Sequence, residues 1–241
     1  MKRLIYFILS GILLTSCSQE AVEHTGKCTV ILDISRINAP QVANTRAVSS
    51  ELAIQIIKPD GTVYLEYAAG SVPGKVTLDA GVLYTIRAFS PNQESWQSAN
   101  EGRGEACYYG ETTISAQEDE VALCSYQVPM TNYAVTFTLP NLFDLLFTSY
   151  TFTLHTESRD VVLSETGVKA YFSPDAKGFT YQLQATNNDG KTSRHSVVEY
   201  PEVNAGKLYN IKYVYASDFN TGGIDIDITD DTEHEDVDIE I

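Results

Sequence analysis

Apolar and polar residues alternate with a period of two over most of this 241-residue chain. ELAIQIIK (51–58), TVYLEY (62–67), KVTLD (75–79) and VLYTIRAF (82–89) carry the pattern in the first half. NYAVTFTL (132–139), YTFTLHT (150–156), FTYQLQAT (179–186) and KLYNIKYVY (207–215) carry it in the second. Val, Ile, Thr and Tyr fill these runs, and such side chains suit a pleated sheet with one buried face. Pro59-Asp60-Gly61 and Asn187-Asn188-Asp189-Gly190 punctuate them as turns. Short strands at this spacing predict stacked sheets rather than βαβ units. The expected fold class is all-β, as two tandem β-sandwich domains over 27–128 and 131–241. The boundary is placed at Val128-Pro129-Met130-Thr131.

Three segments interrupt or extend the alternation. Asn141 to Phe147, after Pro140, reads as two helical turns with Asn141 as a candidate N-cap. VTLDAGVLYTIRAFS (76–90) and PEVNAGKLYNIKYVY (201–215) echo each other as strand, Ala-Gly turn and Tyr-bearing strand, the mark of one sandwich type used twice. The last twenty residues, GGIDIDITDDTEHEDVDIEI, hold nine acidic residues and no Lys or Arg. Ile224, Ile226 and Ile228, then Val237, Ile239 and Ile241, still alternate with them. Two short strands joined by the acidic run 230–236, covered by a sheet of the same chain, explain that register better than a solvated tail does. Asp225, Asp227, Asp230 and Asp231 are weak candidates for a cation site, but the glycine and glutamate of an EF-hand loop are missing.

The other end changes the setting. MKRLIYFILSGILLTSC has a basic start and an apolar stretch too short for a comfortable membrane span. It closes on Leu14-Thr15-Ser16-Cys17, similar to the lipobox of bacterial lipoprotein signal peptides. Residues 1–16 are thus expected to be removed, Cys17 to carry the lipid, and 17–26 to serve as a polar tether. Without Lys2 and Arg3, the 16 basic residues become 14 against 32 acidic, and the net charge moves from −16 to −18. That sign argues against nucleic acid and anionic headgroups as partners. The membrane is then reached through the lipid on Cys17. Of the remaining cysteines, Cys107 and Cys124 flank a predicted hairpin and form a candidate disulfide, leaving Cys28.

The lipobox, the KCTVILDIS strand, AGVLYTIRAFS and Trp96 followed by Cys107-Tyr108-Tyr109-Gly110 together resemble a family of Bacteroidetes lipoproteins of unknown function. That family is distantly similar to fimbrillins, the lipoprotein pilins. The likeness implies immunoglobulin/transthyretin-like sandwiches, a surface location on the outer membrane, and a fimbrial-subunit or adhesin role with self-assembly or other surface proteins as partners. It also implies that Arg46, in Asn44-Thr45-Arg46-Ala47, is a candidate processing site. Ser18-Gln19-Glu20 loosely resembles an acidic surface-export signal.

Chemistry is sparse. Four scattered histidines make no ligand spacing, and no GxSxG elbow, Walker loop or GxGxxG is present. The GRGE at 102–105 has no following helix to offer a phosphate. No enzyme and no cofactor is expected. Trp96, Tyr108 and Tyr109 are candidate contacts for a glycan, since aromatic faces stack on sugar rings. This supports the alternative reading, a glycan-binding lipoprotein of a polysaccharide-uptake system.

Overall fold

The computed structural model describes residues 26–37, 51–174, 177–194, 197–215 and 228–231. The expectations placed on the signal segment, Cys17, nearly all of the tether, Arg46, Asp225, Asp227 and Val237–Ile241 fall outside the described residues.

The first half forms β1 (Lys27–Arg36), β2 (Ala53–Ile57), β3 (Val63–Tyr67), β4 (Lys75–Asp79), β5 (Tyr84–Phe89), β6 (Tyr109–Ile114) and β7 (Val121–Val128). One sheet runs β4-β1-β7 and the other β3-β2-β5-β6. Cys28, Val30, Leu32 and Ile34 of β1 point inward at every second position, as the sequence alternation requires. They meet Ile54, Ile56, Tyr84 and Ile86 from the facing sheet in one buried cluster.

The second half forms β8 (Tyr133–Thr138), β9 (Phe147–His155), β10 (Asp160–Leu163), β11 (Ala170–Phe172), β12 (Phe179–Asn187), β13 (Thr192–Arg194), β14 (Val198–Tyr200), β15 (Leu208–Tyr215) and β16 (Ile228–Asp231). Its sheets run β11-β8-β15-β16 and β10-β9-β12-β13, with β14 also on β12. The core between them is aromatic: Tyr133, Phe137, Phe152, Phe172, Phe179, Tyr181 and Tyr213 are all buried. Phe137 stacks on Phe152 at 4.4 Å. The all-β expectation is borne out.

The two halves repeat one topology. In each, the first strand pairs antiparallel with the fourth (β4 or β11) and parallel with a late strand, β7 at the end of the first half and β15, the last but one, in the second. In each, the second strand joins the third and fifth in the opposite sheet. The repeat is therefore present, but the sequence echo aligned the wrong strands. Residues 76–90 cover β4 and β5, whereas 201–215 lead into β15, the counterpart of β7. Ala-Gly followed by an alternating strand marks a turn type, not a place in the fold.

Parallel pairing of β1 with β7 also makes the chain enter the first sandwich at one pole and leave it at the other. The first sandwich thus hands the chain at Val128 to Tyr133 through four residues, and the halves meet pole to pole.

Two local expectations are corrected. The segment after Pro140 makes a single helical turn, Phe143–Leu146. Leu142, in left-handed backbone at φ 67°, takes the place given to an Asn141 cap, and no side chain caps the turn. At the other end, Asp230 and Asp231 lie in strand β16 rather than in a turn, with Asp231 opposite Lys212 and Ile228 opposite Tyr215. That strand pairs with β15 of its own chain.

Candidate functional site

Trp96, Cys107 and Tyr108, singled out from sequence, converge at the meeting of the two sandwiches. The connection from β5 to β6 leaves the first sandwich at Ser90 and returns at Tyr108, where Ser90 N–H donates to Tyr108 O (2.9 Å). Within it, Asn100 and Glu101 adopt left-handed backbone (φ 50° and 61°). Such residues turn the carbonyls of a segment to a new side. Asn100 Nδ2 holds the turn by donating to Gly104 O at 2.9 Å. The carbonyls of Gln97, Gly102 and Arg103 thereby face a common point.

Arg159, from the β9–β10 turn, occupies that point. Its Nη1 donates to Gln97 O (2.6 Å) and Gly102 O (2.9 Å). Its Nη2 donates to Arg103 O (3.3 Å) and to Tyr171 O. The guanidinium lies between two rings, 5.6 Å from the Trp96 centroid and 5.0 Å from that of Phe172. Both distances suit cation–π attraction, and partial burial strengthens it. Burial also pulls the Arg159 pKa down from its ordinary value, while the guanidinium stays charged. Gly104, at φ 81°, makes the fit possible: a Cβ there would stand 3.0 Å from Nη2 and 3.3 Å from the Trp96 ring.

The contact continues beside the clamp. Tyr171 N–H, on the outer edge of β11, donates to Arg103 O at 2.8 Å. The loop of one sandwich thus covers a sheet edge of the other, which an exposed strand otherwise leaves open to stray pairing. Asn132, 2% exposed, accepts from Cys107 N–H (3.1 Å) and donates to Glu105 O (2.8 Å). Its own carbonyl accepts from Gly206 N–H at 2.9 Å. Both ends of its side-chain amide are therefore bonded, as a buried amide requires.

This geometry corrects two expectations. Trp96 is 9% exposed, with the Arg159 guanidinium over its ring, and offers no face to a sugar. Tyr108 is half-buried under Arg36, at 5.1 Å. Tyr109 keeps an exposed ring, its hydroxyl donating to Glu111 at 2.7 Å. The disulfide is the second correction: Cys28, Cys107 and Cys124 are all buried free thiols. β6 and β7 are not a hairpin but belong to opposite sheets, β6 beside β5 and β7 beside β1. Cys107 bonds Thr131 through its carbonyl (2.7 Å). Cys124 stands seven positions back along the chain from Thr131, roughly 20 Å away at strand rise.

Burial raises the thiol pKa of Cys107 and pushes that of Cys124 up to about 11. A raised folded value means stability is fully present below the ordinary thiol range and is lost as pH climbs through about 11. The urea midpoint is expected to fall over that window. At neutral pH, all three thiols should resist iodoacetamide in the folded protein and react once it is denatured. A 107–124 bridge would leave Cys28 alone among these three to react.

An open cleft of about 400 Å3 lies near the same pole of the second sandwich, lined by His155, Glu157, Lys177, Phe179 and Glu199 among others. Beside it, His155 Nδ1 is 2.8 Å from Asp160, and Lys177 is 3.8 Å from Glu157. Phe179 is 2% exposed and presents no ring. Among the described residues, no group of three or more His, Cys, Asp or Glu is placed to hold a metal ion. Among them, too, no helix is long and apolar enough to cross a membrane.

The fold and its junction define a class, a tandem of two β-sandwiches clamped pole to pole by a side chain of the second on main-chain carbonyls of the first. The chain belongs to the family named as a domain of unknown function, DUF4493, whose model matches residues 27–241. The sequence resemblance to a family of unknown function is thereby borne out. No curated protein matches the chain. Solved structures similar to it include a candidate cell adhesion protein from Bacteroides eggerthii, with 8% identity, TM-score 0.45 and coverage of 79% of this chain and 86% of that one. Another is a fimbrial assembly protein from Parabacteroides distasonis, with 10% identity, TM-score 0.41 and coverage of 86% and 98%. A third, from Bacteroides thetaiotaomicron, is described among candidate polysaccharide-binding proteins (DUF1812), with 11% identity, TM-score 0.40 and coverage of 80% and 92%.

Arg159 is the residue that sequence reading missed. It sits in Glu157-Ser158-Arg159-Asp160, a polar turn like many others. Its carbonyl partners in the first sandwich lie 56 to 62 residues away, and a carbonyl is a group every residue has. The one available signal was the crowding of glycine in Gly102-Arg103-Gly104, where backbone is approached closely.

Proposed function

We propose that this chain is a non-catalytic cell-envelope protein, anchored by lipid on Cys17 to the outer membrane and facing outward, where it acts as an adhesin or fimbrial subunit. The observation that supports this best is the pole-to-pole arrangement. The chain enters the first sandwich at one pole, and the clamp at Arg159 fixes the second beyond it. A protein tethered at its start would therefore hold the far pole of β8–β16 farthest from the membrane. Clustered groups for chemistry play no part in the reading, and no exposed Trp favours sugar stacking. Cleavage at Arg46 belongs to the same proposal, as a step that would precede assembly.

The anchor and the orientation are tested together. In cells fed labelled palmitate, the chain should take up label and sediment with outer membranes, and Cys17→Ala should do neither. Protease added to intact cells should remove the wild-type protein. Label retained by Cys17→Ala, or full protection on intact cells, would overturn the reading. Ladders that resist SDS would assign the subunit role over that of a lone adhesin.

A further inference from the structure

At the pole of the second sandwich farthest from the junction, β8 turns into β9 through Pro140-Asn141-Leu142-Phe143-Asp144-Leu145-Leu146. Phe143 is buried and stacks on Phe147 at 4.3 Å, and Leu146 packs against the core. Leu142 and Leu145 do the opposite. At 69% and 66% exposure, they are the most exposed large apolar side chains among the described residues. Leu142 is moreover held in left-handed backbone, which strains any residue with a Cβ and is relieved by glycine. Leu145 N–H donates to Leu142 O at 3.0 Å. From the neighbouring β12–β13 turn, Asn188 Nδ2 donates to Leu145 O at 2.7 Å and its N–H to Leu146 O at 3.2 Å.

The turn is thus rigid, and it presents two leucines to water. Neither the strain nor the exposure serves the fold, and stored strain of this kind gathers where a surface is put to use. Asp144 lies between the leucines in sequence. It and Glu165, from the β10–β11 connection, both bear electrostatically on Tyr150, whose ring meets Phe143 edge-on at 5.7 Å. The tip therefore pairs an apolar point with two carboxylates.

We propose that this tip docks into a partner protein whose apolar pocket is rimmed by Lys or Arg, with Leu142 and Leu145 entering the pocket and Asp144 and Glu165 meeting the rim. Charge decides among the occupants. A bilayer with anionic headgroups would repel the carboxylates. A second copy would bring the same two acids to the contact, on a chain of net charge −16. A basic, apolar site answers both features at once. The inference deepens the adhesin reading by naming the surface and the chemistry of its partner, and it does not depend on the lipid.

The full chain carrying Cys17→Ser separates the two questions, since it has no lipid to obscure binding. The probe is an amphipathic peptide of Leu and Lys. It should bind saturably, and Leu142→Ser with Leu145→Ser should weaken it roughly tenfold or more, as should Asp144→Lys with Glu165→Lys. Val63→Ser, an exposed apolar position of the other sandwich, should leave binding unchanged. Leu142→Gly should raise the melting temperature, because it relieves strain without opening the core. The proposal is overturned if the peptide does not bind, if it binds all variants alike, or if Leu142→Gly lowers the melting temperature. Binding of anionic vesicles or dimerisation that requires the two leucines would overturn it equally, by assigning the tip to lipid or to a second copy.

Discussion

Replacing Arg159 with Met is expected to lower the unfolding free energy by about 3–5 kcal/mol and to split one melting transition into two. Methionine keeps the apolar stem against Trp96 and Phe172, so the volume of the junction changes little. What disappears are four hydrogen bonds to carbonyls and the charge between two rings. Each charge-assisted bond is worth about 1.5–3 kcal/mol when buried, and the partial exposure of this group is why the total is set well below their sum. The main-chain contact from Tyr171 to Arg103 remains, as do the bonds of Asn132 to Cys107 and Glu105, but each is a neutral bond that contributes only about 1 kcal/mol. For a chain of this size the loss corresponds to a fall of roughly 6–20 °C in melting temperature. Calorimetry reads both effects. A single transition at an unchanged temperature would show that Arg159 does not couple the halves.

Phe152→Ala tests the second sandwich from inside, with an expected cost of about 4 kcal/mol. The ring is fully buried, stacked on Phe137 and in contact with Tyr181 (6.0 Å) and Tyr213 (6.1 Å). Those neighbours are themselves stiff aromatic rings, which close poorly over a vacated space. Combined with Arg159→Met, the substitution should move only one of the two transitions. In the clamped protein it should lower the whole. If both transitions moved in the double variant, the cores would share more than the junction provides.

The alternation of apolar and polar residues located the long central strands with fair accuracy, because a strand with one buried face must repeat every second residue. It missed β13 (Thr192–Arg194), whose residues are all exposed, since no burial constrains such a segment. The short β10, β11 and β14 gave too few residues for a period to register. β6 and β7 were read as one hairpin because they are consecutive, yet the chain crosses from one sheet to the other between them. Nothing local records that crossing, and the false disulfide followed from it. The site was legible in a different way. Trp96, Cys107 and Tyr108 stood out for a glycan and a disulfide, but they lie where two sandwiches meet, and the residue that joins them shares no local pattern with theirs. Leu142 and Leu145 looked like part of a helical face; only the left-handed turn before Phe143 sets them outward.

The parallel pairing of β1 with β7 and of β8 with β15 carries a mechanical consequence. When the chain is held at its start and pulled from the end of β15, β1 and β7 are drawn past each other lengthwise, and so are β8 and β15. Rungs loaded this way share the force and must yield together, whereas strands peeled from one end give way one rung at a time. Eight residue pairs join β1 to β7, from Thr29 with Val121 to Arg36 with Val128. Five join β8 to β15, from Leu208 with Ala134 to Lys212 with Thr138. Under tension the outer sandwich therefore yields first, and the one nearer the point of attachment holds.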